Sequence, residues 1–254
     1  MTETQIILSI ETSTRRGSVC LTRGNEVLGS AVGEDIGSHS NTLLRQIREV
    51  LEQGQVTLED VDLFAAAIGP GSFTGLRIGL ATVKGLAATL DKPCVGIPTL
   101  EAIARAGGAS ALTVALLPAG RGELFAQQFT VTADGTVTAL DEPEHIDPGT
   151  VRLKYGTEPN VRWCGEGAHA HRDEIRTWAE QNGFSFSEAP AENPKSQTAW
   201  TLAPLEFQLA AHIAALAQAR LLRNEAVDAN SLTALYVRPS DAELKYGVPN
   251  AISS

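Results

Sequence analysis

The chain has 254 residues, 43% of them apolar, and a net charge of −10 from 20 Lys+Arg against 30 Asp+Glu. That length makes one large domain or two small ones with a real core, and the acid excess excludes a broad cationic surface for gripping a phosphate backbone. The longest apolar stretch, around Leu63 to Ile68, is far too short to cross a bilayer. MTETQIILSIETST lacks the basic head and small-residue cleavage site of a signal peptide. Cys20, Cys94 and Cys164 lie far apart with no CxxC pair, which suits buried thiols in a reducing compartment. The expected location is the cytoplasm.

Residues 6 to 10, IILSI, predict a buried strand, followed by the polar turn ETSTRRG. SVCLTR and EVLGSAV predict two more strands joined by Gly24-Asn25, so the chain opens as a three-stranded meander. SHSNTLLRQIREVLEQG carries Leu43, Leu44, Ile47, Val50 and Leu51 on one helical face, with Ser38 or Ser40 as cap and Gly54 as stop. DVDLFAAAIG is a buried strand, and a glycine loop leads into a helix over 75–90. KPCVGIP predicts a strand and TLEAIARA a helix capped by Thr99. The order β-β-β-α-β-α-β-α argues for an α/β layer.

After Gly107-Gly108 the pattern restarts. ALTVALLPA, GELFAQQFTV and TVTALDEPEHI predict strands around a turn at Asp134-Gly135, and a short helix spans 148–153. VRWCGEG reads as a strand and 170–181 as a helix, while the polar, proline-bearing SEAPAENPKSQTAW reads as a connector. PLEFQLAAHIAALAQARLLRN is the longest predicted helix, with Pro204 in its first turn. No repeat recurs at fixed spacing, but two β-rich beginnings, each followed by helices, indicate two lobes.

The loop IGPGSFTGLRIG, residues 68 to 79, poses the functional question. It is not a Walker loop, because Gly75 is followed by Leu76 and Arg77. It is GxGxxxG rather than the dinucleotide GxGxxG, and Ser72 lacks the flanking glycines of a nucleophile elbow. What remains is a helix N-terminus, which attracts anions through unpaired amides and the helix dipole. Gly71, Ser72, Thr74, Gly75 and Arg77 are its candidate anion or nucleotide contacts. The plainer reading is capping and packing, since every helix must satisfy its first amides. Gly79 and Gly85 each cost a helix about 1 kcal/mol compared with alanine, which implies close approach of another backbone, within the chain or across an interface.

ILSIETSTRRGSVCL, GSHSNTLL, GPGSFTGLRIGLATVKGLA, GIPTLEAIA and the tail ALYVRPSDAE resemble, in order and spacing, the bacterial TsaB (YeaZ) family over nearly the whole chain. The resemblance implies an α/β, actin/Hsp70-like (ribonuclease H-like) fold of two lobes, each a mixed sheet flanked by helices. Residues 1–103 plus 201–225 would form the N-terminal lobe, 104–200 the second lobe and 226–254 a C-terminal tail. The implied role is a non-catalytic subunit in making threonylcarbamoyladenosine on tRNA, beside the catalytic paralogue TsaD and the ATPase TsaE. It implies a homodimer in isolation, contact with tRNA only through partners, and no association with membranes. No cofactor is expected on the chain alone, with the lobe cleft or the partner junction as candidate places for ATP or ADP.

The catalytic paralogue presents an HxxxH pair after its GPG loop, and two histidines at that spacing share a helix face and chelate. The matching GIPTLEAIARA holds no histidine. His169 and His171 form an HxH whose neighbours Glu166 and Asp173 make it a weak metal candidate, while His39 suits a helix cap and His212 a core or boundary position. Glu11 stands where phosphotransferases of this fold usually carry aspartate, and the alternative is that it pairs with Arg15 or caps the turn. An ATP- or metal-dependent enzyme of the same fold is therefore the competing function, and a direct tRNA-binding module a third. As a scaffold, the helices at 40–53 and 74–90 would meet a partner's equivalent pair through Leu44, Ile47, Leu51, Leu76, Gly79, Leu80, Val83 and Leu86. On that expectation Leu80→Asp or Val83→Asp abolishes association and spares the fold. The alternative is that both stripes face the chain's own sheet.

Overall fold

The computed structural model describes residues 4–34, 39–188 and 198–237, without the side chains of 39–41. The expected caps Ser38 and Ser40, the side chain of His39, and the part of the tail signature from Arg238 onward lie outside the described residues. The first half runs β1 (Ile6–Glu11), β2 (Ser18–Arg23), β3 (Glu26–Val32), α1 (His39–Gly54), β4 (Leu63–Gly69), α2 (Phe73–Leu90), β5 (Cys94–Pro98) and α3 (Thr99–Ala106). Its strands form one five-stranded sheet in the order β3-β2-β1-β4-β5. β1 to β3 are antiparallel, whereas β4 joins β1 in parallel, with Ile7 opposite Leu63 and Ile10 opposite Ala66.

The second half repeats that plan. It runs β6 (Ser110–Gly120), β7 (Glu123–Val131), β8 (Val137–Ala139), β9 (Glu144–Ile146), α4 (Pro148–Tyr155) and β10 (Arg162–Cys164). α5 (Glu166–Ala170), α6 (Arg172–Gln181), β11 (Ser185–Ser187), β12 (Ala199–Leu202) and α7 (Leu209–Leu222) complete it. The sheet order is β11-β12-β10-β6-β7-β8, with β9 also on β7. β6, β7 and β8 form an antiparallel meander and β10 joins β6 in parallel, as β4 joins β1.

Alternation along the strands divides each sheet into two apolar faces. Leu8, Ile10, Val19, Leu21 and Phe64 take the inward stripes of α1 and α2 on the outer face of the first sheet. Ile7, Leu63, Ala65, Val95 and Ile97 meet Ile213, Leu216 and Ala217 of α7 on the other. In the second sheet, Trp163 and Trp200 pack with Val151, Ile175 and Trp178 of α4 and α6. Its opposite face, with Ala115, Leu117 and Phe125, takes Leu100, Ile103 and Ala104 of α3. α3, which follows the first sheet, thus packs on the second, and α7, which follows the second, packs on the first.

The structure departs from the expected elements in several places. TVTALDEPEHI forms two short strands, β8 and β9, rather than one, and the last helix, at 14 residues, is shorter than α2 at 18. The last helix starts at Leu209 rather than Pro204, because Ser18 Oγ accepts the Ala210 amide at 3.0 Å and Glu206 Oε1 the Gln208 amide at 2.6 Å. The stretch read as a connector contributes β12, and the helix expected over 170–181 is divided at His171. Among the described residues, no helix is long and apolar enough to cross a membrane.

Candidate functional site

The site is built where β1 ends. Glu11, Thr12, Ser13 and Thr14 are all buried despite their polarity, so each needs partners within the protein. Glu11 provides most of them. Its Oε1 accepts from the Ser13 amide at 2.5 Å, the Ser13 hydroxyl at 2.6 Å and the Thr14 amide at 2.8 Å. Its Oε2 accepts from the Thr14 hydroxyl at 2.6 Å. The carboxylate thus caps the turn that follows its own strand. Thr99 Oγ1 donates to Ser13 Oγ at 2.9 Å, tying α3 to the same turn. It does not cap its helix as expected: Pro98 holds the cap position with no side-chain bond.

The glycine loop closes over this turn from the β4 side. A Cβ on Gly71 would lie 2.5 Å from Ser13 O, one on Gly75 1.9 Å from Thr12 O, and one on Gly79 2.3 Å from Thr12 Oγ1. Only glycine admits such an approach. Hydrogen bonds run through the contact: Ser72 N donates to Ser13 O at 2.8 Å and Thr12 Oγ1 to Gly75 O at 2.8 Å. Ser72 Oγ accepts the Gly75 amide at 3.2 Å and caps α2. What comes close to these glycines is the chain's own first turn.

The five residues expected as anion contacts differ in their surroundings, with Ser72 exposed at the cap of α2. Gly71 and Gly75 press inward on the turn, whereas Thr74 and Arg77 are exposed and the Arg77 guanidinium stacks 3.8 Å over the Phe73 ring. The proposed interface residues also divide. Ile47, Leu51, Leu76, Gly79, Leu80 and Val83 are buried within the chain, because α1 and α2 turn their apolar stripes to the first sheet. As side chains they are core, and the expectation that Val83→Asp spares the fold is corrected accordingly. Leu44 is 68% exposed and Leu86 half-buried. The face α2 turns outward consists of Thr74, Arg77, Ala81, Gly85, Ala88 and Thr89.

The histidines resolve into structural roles. His169 Nε2 lies 2.8 Å from Ala203 O, and His171 pairs with Glu174. His212 accepts a hydrogen bond from Arg105 at 3.1 Å, and burial together with that cation pushes it down to about 4. Among the described residues, no three His, Cys, Asp or Glu side chains come together as a metal site.

Two sheets of matching topology, with a Gly-rich crossover beneath the first strand, make an actin/Hsp70-like fold. YeaZ from Pseudomonas aeruginosa superimposes with a TM-score of 0.71 at 23% identity, covering 91% of this chain and 99% of its own. Residues 34–244 match the family model described as TsaD, tRNA N6-adenosine threonylcarbamoyltransferase. An uncharacterised Mycobacterium tuberculosis protein is 30% identical over 148 residues, 56% of this chain and 68% of its own. TsaB of Escherichia coli is 31% identical over 133 residues, 51% of this chain and 57% of its own. The chain belongs to the family that the TsaD model describes, and its fold matches that of YeaZ over nearly its whole length.

Proposed function

We propose that the chain is a non-catalytic subunit in the biosynthesis of threonylcarbamoyladenosine on tRNA, the process for which its Escherichia coli and Haemophilus influenzae relatives are named. It dimerises with a TsaD-type catalytic paralogue, supports a TsaE-type ATPase, and meets tRNA through that assembly. In isolation the same face pairs two copies.

The observation that carries this reading is Gly85. The loop glycines each lie against the first turn, but a Cβ on Gly85 would meet nothing within 4 Å. A mid-helix glycine costs about 1 kcal/mol relative to alanine, and nothing in the chain's own packing accounts for it. Its neighbours on the outward face, Ala81 and Ala88, are also small, and helices approach more closely where side chains at the crossing are small. A partner helix laid along this face supplies the missing reason, with Leu44 as apolar flank. The chemistry agrees. TLEAIARA offers no imidazole to a cation, and both oxygens of Glu11 are turned into the protein.

Gly85→Leu tests the reading, with thermal melting as control and size-exclusion chromatography with the paralogue as readout. The expected result is an unchanged melt with loss of co-elution and of the homodimer. Undiminished co-elution overturns the assignment of the face.

A further inference from the structure

The outward face of α2 ends, at its first turn, in a cluster of one cation and two aromatic rings. The Arg77 guanidinium lies 3.8 Å over the Phe73 ring, and the half-exposed Tyr236 ring lies 5.4 Å from Phe73. Tyr236 is held there by a strap that runs beside α2 from Lys84 back to Phe73. Val227 exchanges backbone hydrogen bonds with Cys94 at 2.8 and 2.9 Å, and Lys84 Nζ donates to Leu232 O at 3.0 Å. Leu235 N donates to Ile68 O at 2.7 Å, and Ala229 and Leu232 are buried in the core between α2 and the first sheet. A guanidinium stacked on a ring is fixed by its face, while the N–H groups at its edge stay open to an acceptor. Among the described residues, no oxygen takes a hydrogen bond from Arg77. The neighbouring cations are committed: Arg45 to Glu49 at 2.6 Å, Arg48 to Glu52 at 3.6 Å, and Lys84 to the strap.

We propose that Arg77, fixed by Phe73 and through it by Tyr236, takes a carboxylate from the partner's helix and so sets where along α2 that helix lies. This rests on the subunit reading, which it sharpens. Arg77, Ala81, Gly85 and Ala88 lie on one stripe of α2, so a helix laid against Gly85 reaches the guanidinium about 12 Å along the axis. Charge chemistry selects the occupant. The planar fork of a guanidinium matches a carboxylate with two parallel hydrogen bonds. A nucleic-acid backbone needs several cations together, whereas Arg77 is alone on its stripe in a chain with net charge −10. Arginine and tyrosine, ordered before the partner arrives, are also the residue types that most often dominate an interface.

Anisotropy of the labelled paralogue, titrated with the full chain and its variants from about 50 to 500 mM salt, tests it, with thermal melting as control. Arg77→Met is expected to weaken binding at least about thirtyfold at low salt, to flatten the salt dependence and to leave the melt unchanged. Arg77→Lys, which keeps the charge without the fork, recovers only part of the loss. Phe73→Ala weakens binding about tenfold, and Phe73→Tyr, which keeps the ring beneath the guanidinium, restores it. If Arg77→Met binds like the parent while Gly85→Leu does not, the anchor is overturned and the subunit reading stands. If both bind like the parent, the face itself is wrong and the anchor falls with it. A melt lowered by Arg77→Met puts the acceptor within the chain, and a loss confined to tRNA binding by the assembly makes it a phosphate; either overturns the proposal.

Discussion

In both sheets, the strand that pairs in parallel with the first strand ends in Gly-x-Gly: Gly69-Pro70-Gly71 after β4, and Gly165-Glu166-Gly167 after β10. Both tuck under the sheet's first strand. Gly71 and Gly75 leave no room for a Cβ beneath Ser13 and Thr12, and Gly165 would bring one to 2.4 Å from Leu116 O. Both sets meet a main-chain carbonyl, and they differ in what lies beyond it. In the first lobe the nearest atoms are Ser13 O, Thr12 O and Thr12 Oγ1, in the turn that the Glu11 carboxylate caps; in the second they are Leu116 O with the side chains of Ile103, Leu116 and Leu124. Since glycines serve the same close approach beside a hydrogen-bonded turn and beside leucines, the sharp parallel crossover accounts for them in both lobes.

The largest expected effect tests whether the lobes are separable. Trp163, Trp178 and Trp200 all lie in the second lobe's outer core, so their emission reports that lobe, and circular dichroism reports both. Val83→Asp buries a carboxylate at a position with no exposure in the first lobe, a penalty of about 5 kcal/mol or more without a partner. That is comparable to the whole stability of many domains. Because α3 and α7 each pack on the other lobe's sheet, the tryptophan emission is expected to shift red together with the loss of helix signal. Native emission from a chain that has lost half its helix would show the lobes to be independent.

A smaller effect compares the two crossovers directly. Gly75→Ala drives a methyl to 1.9 Å from a backbone oxygen fixed between β1 and α2, whereas at Gly167 the nearest atoms, the backbone carbon and Cβ of Leu116 and a methyl of Leu124, are 2.8–2.9 Å away. Overpacking of this kind costs about 3 kcal/mol at Gly75 and about 1 kcal/mol at Gly167. Urea midpoints at matched m-values measure both. Equal losses would mean that the turn of Glu11 yields as readily as the end of β6 at Leu116.

The first lobe was the more legible in sequence, for a physical reason. Its strands are buried runs with clear turn residues between them, and the leucines of α1 and α2 repeat at helical spacing. That periodicity identified the apolar face but could not say what the face meets, so Ile47, Leu80 and Val83 were read as a partner surface when they are core. β12 was missed because SEAPAENPKSQTAW is polar and carries prolines, and Trp200, buried beside Trp163, was its one strong signal. The second Gly-x-Gly follows a buried strand as the first does, but GEGAHAH carries neither the proline nor the hydroxyl residues that mark GPGSFTG as a turn and cap. Glu11 was legible as a cap: a carboxylate directly before Thr-Ser-Thr has short-range donors to satisfy.

The least disruptive prediction probes the seam where the exchanged helices meet. Arg105 of α3 donates to His212 of α7, and a Cβ on Gly135, in the turn between β7 and β8, would lie 3.0 Å from the same guanidinium. The pair works only with a neutral imidazole, which is why burial and the arginine hold His212 near 4. Unfolded, the imidazole titrates at its ordinary value of about 6.5. Between those values the unfolded chain binds a proton that the folded chain refuses. The stabilisation is therefore complete above pH 6.5 and is lost as pH falls towards 4, by about 3 kcal/mol. His212→Gln keeps an acceptor for Arg105 and removes the titration, so its stability is expected to vary less with pH across that window, with little change at pH 7.5. Unfolding by urea at pH 4.5, 5.5, 6.5 and 7.5 measures it. If the glutamine variant follows the same acid slope as the parent chain, the acid sensitivity lies within a lobe rather than at the joint between them.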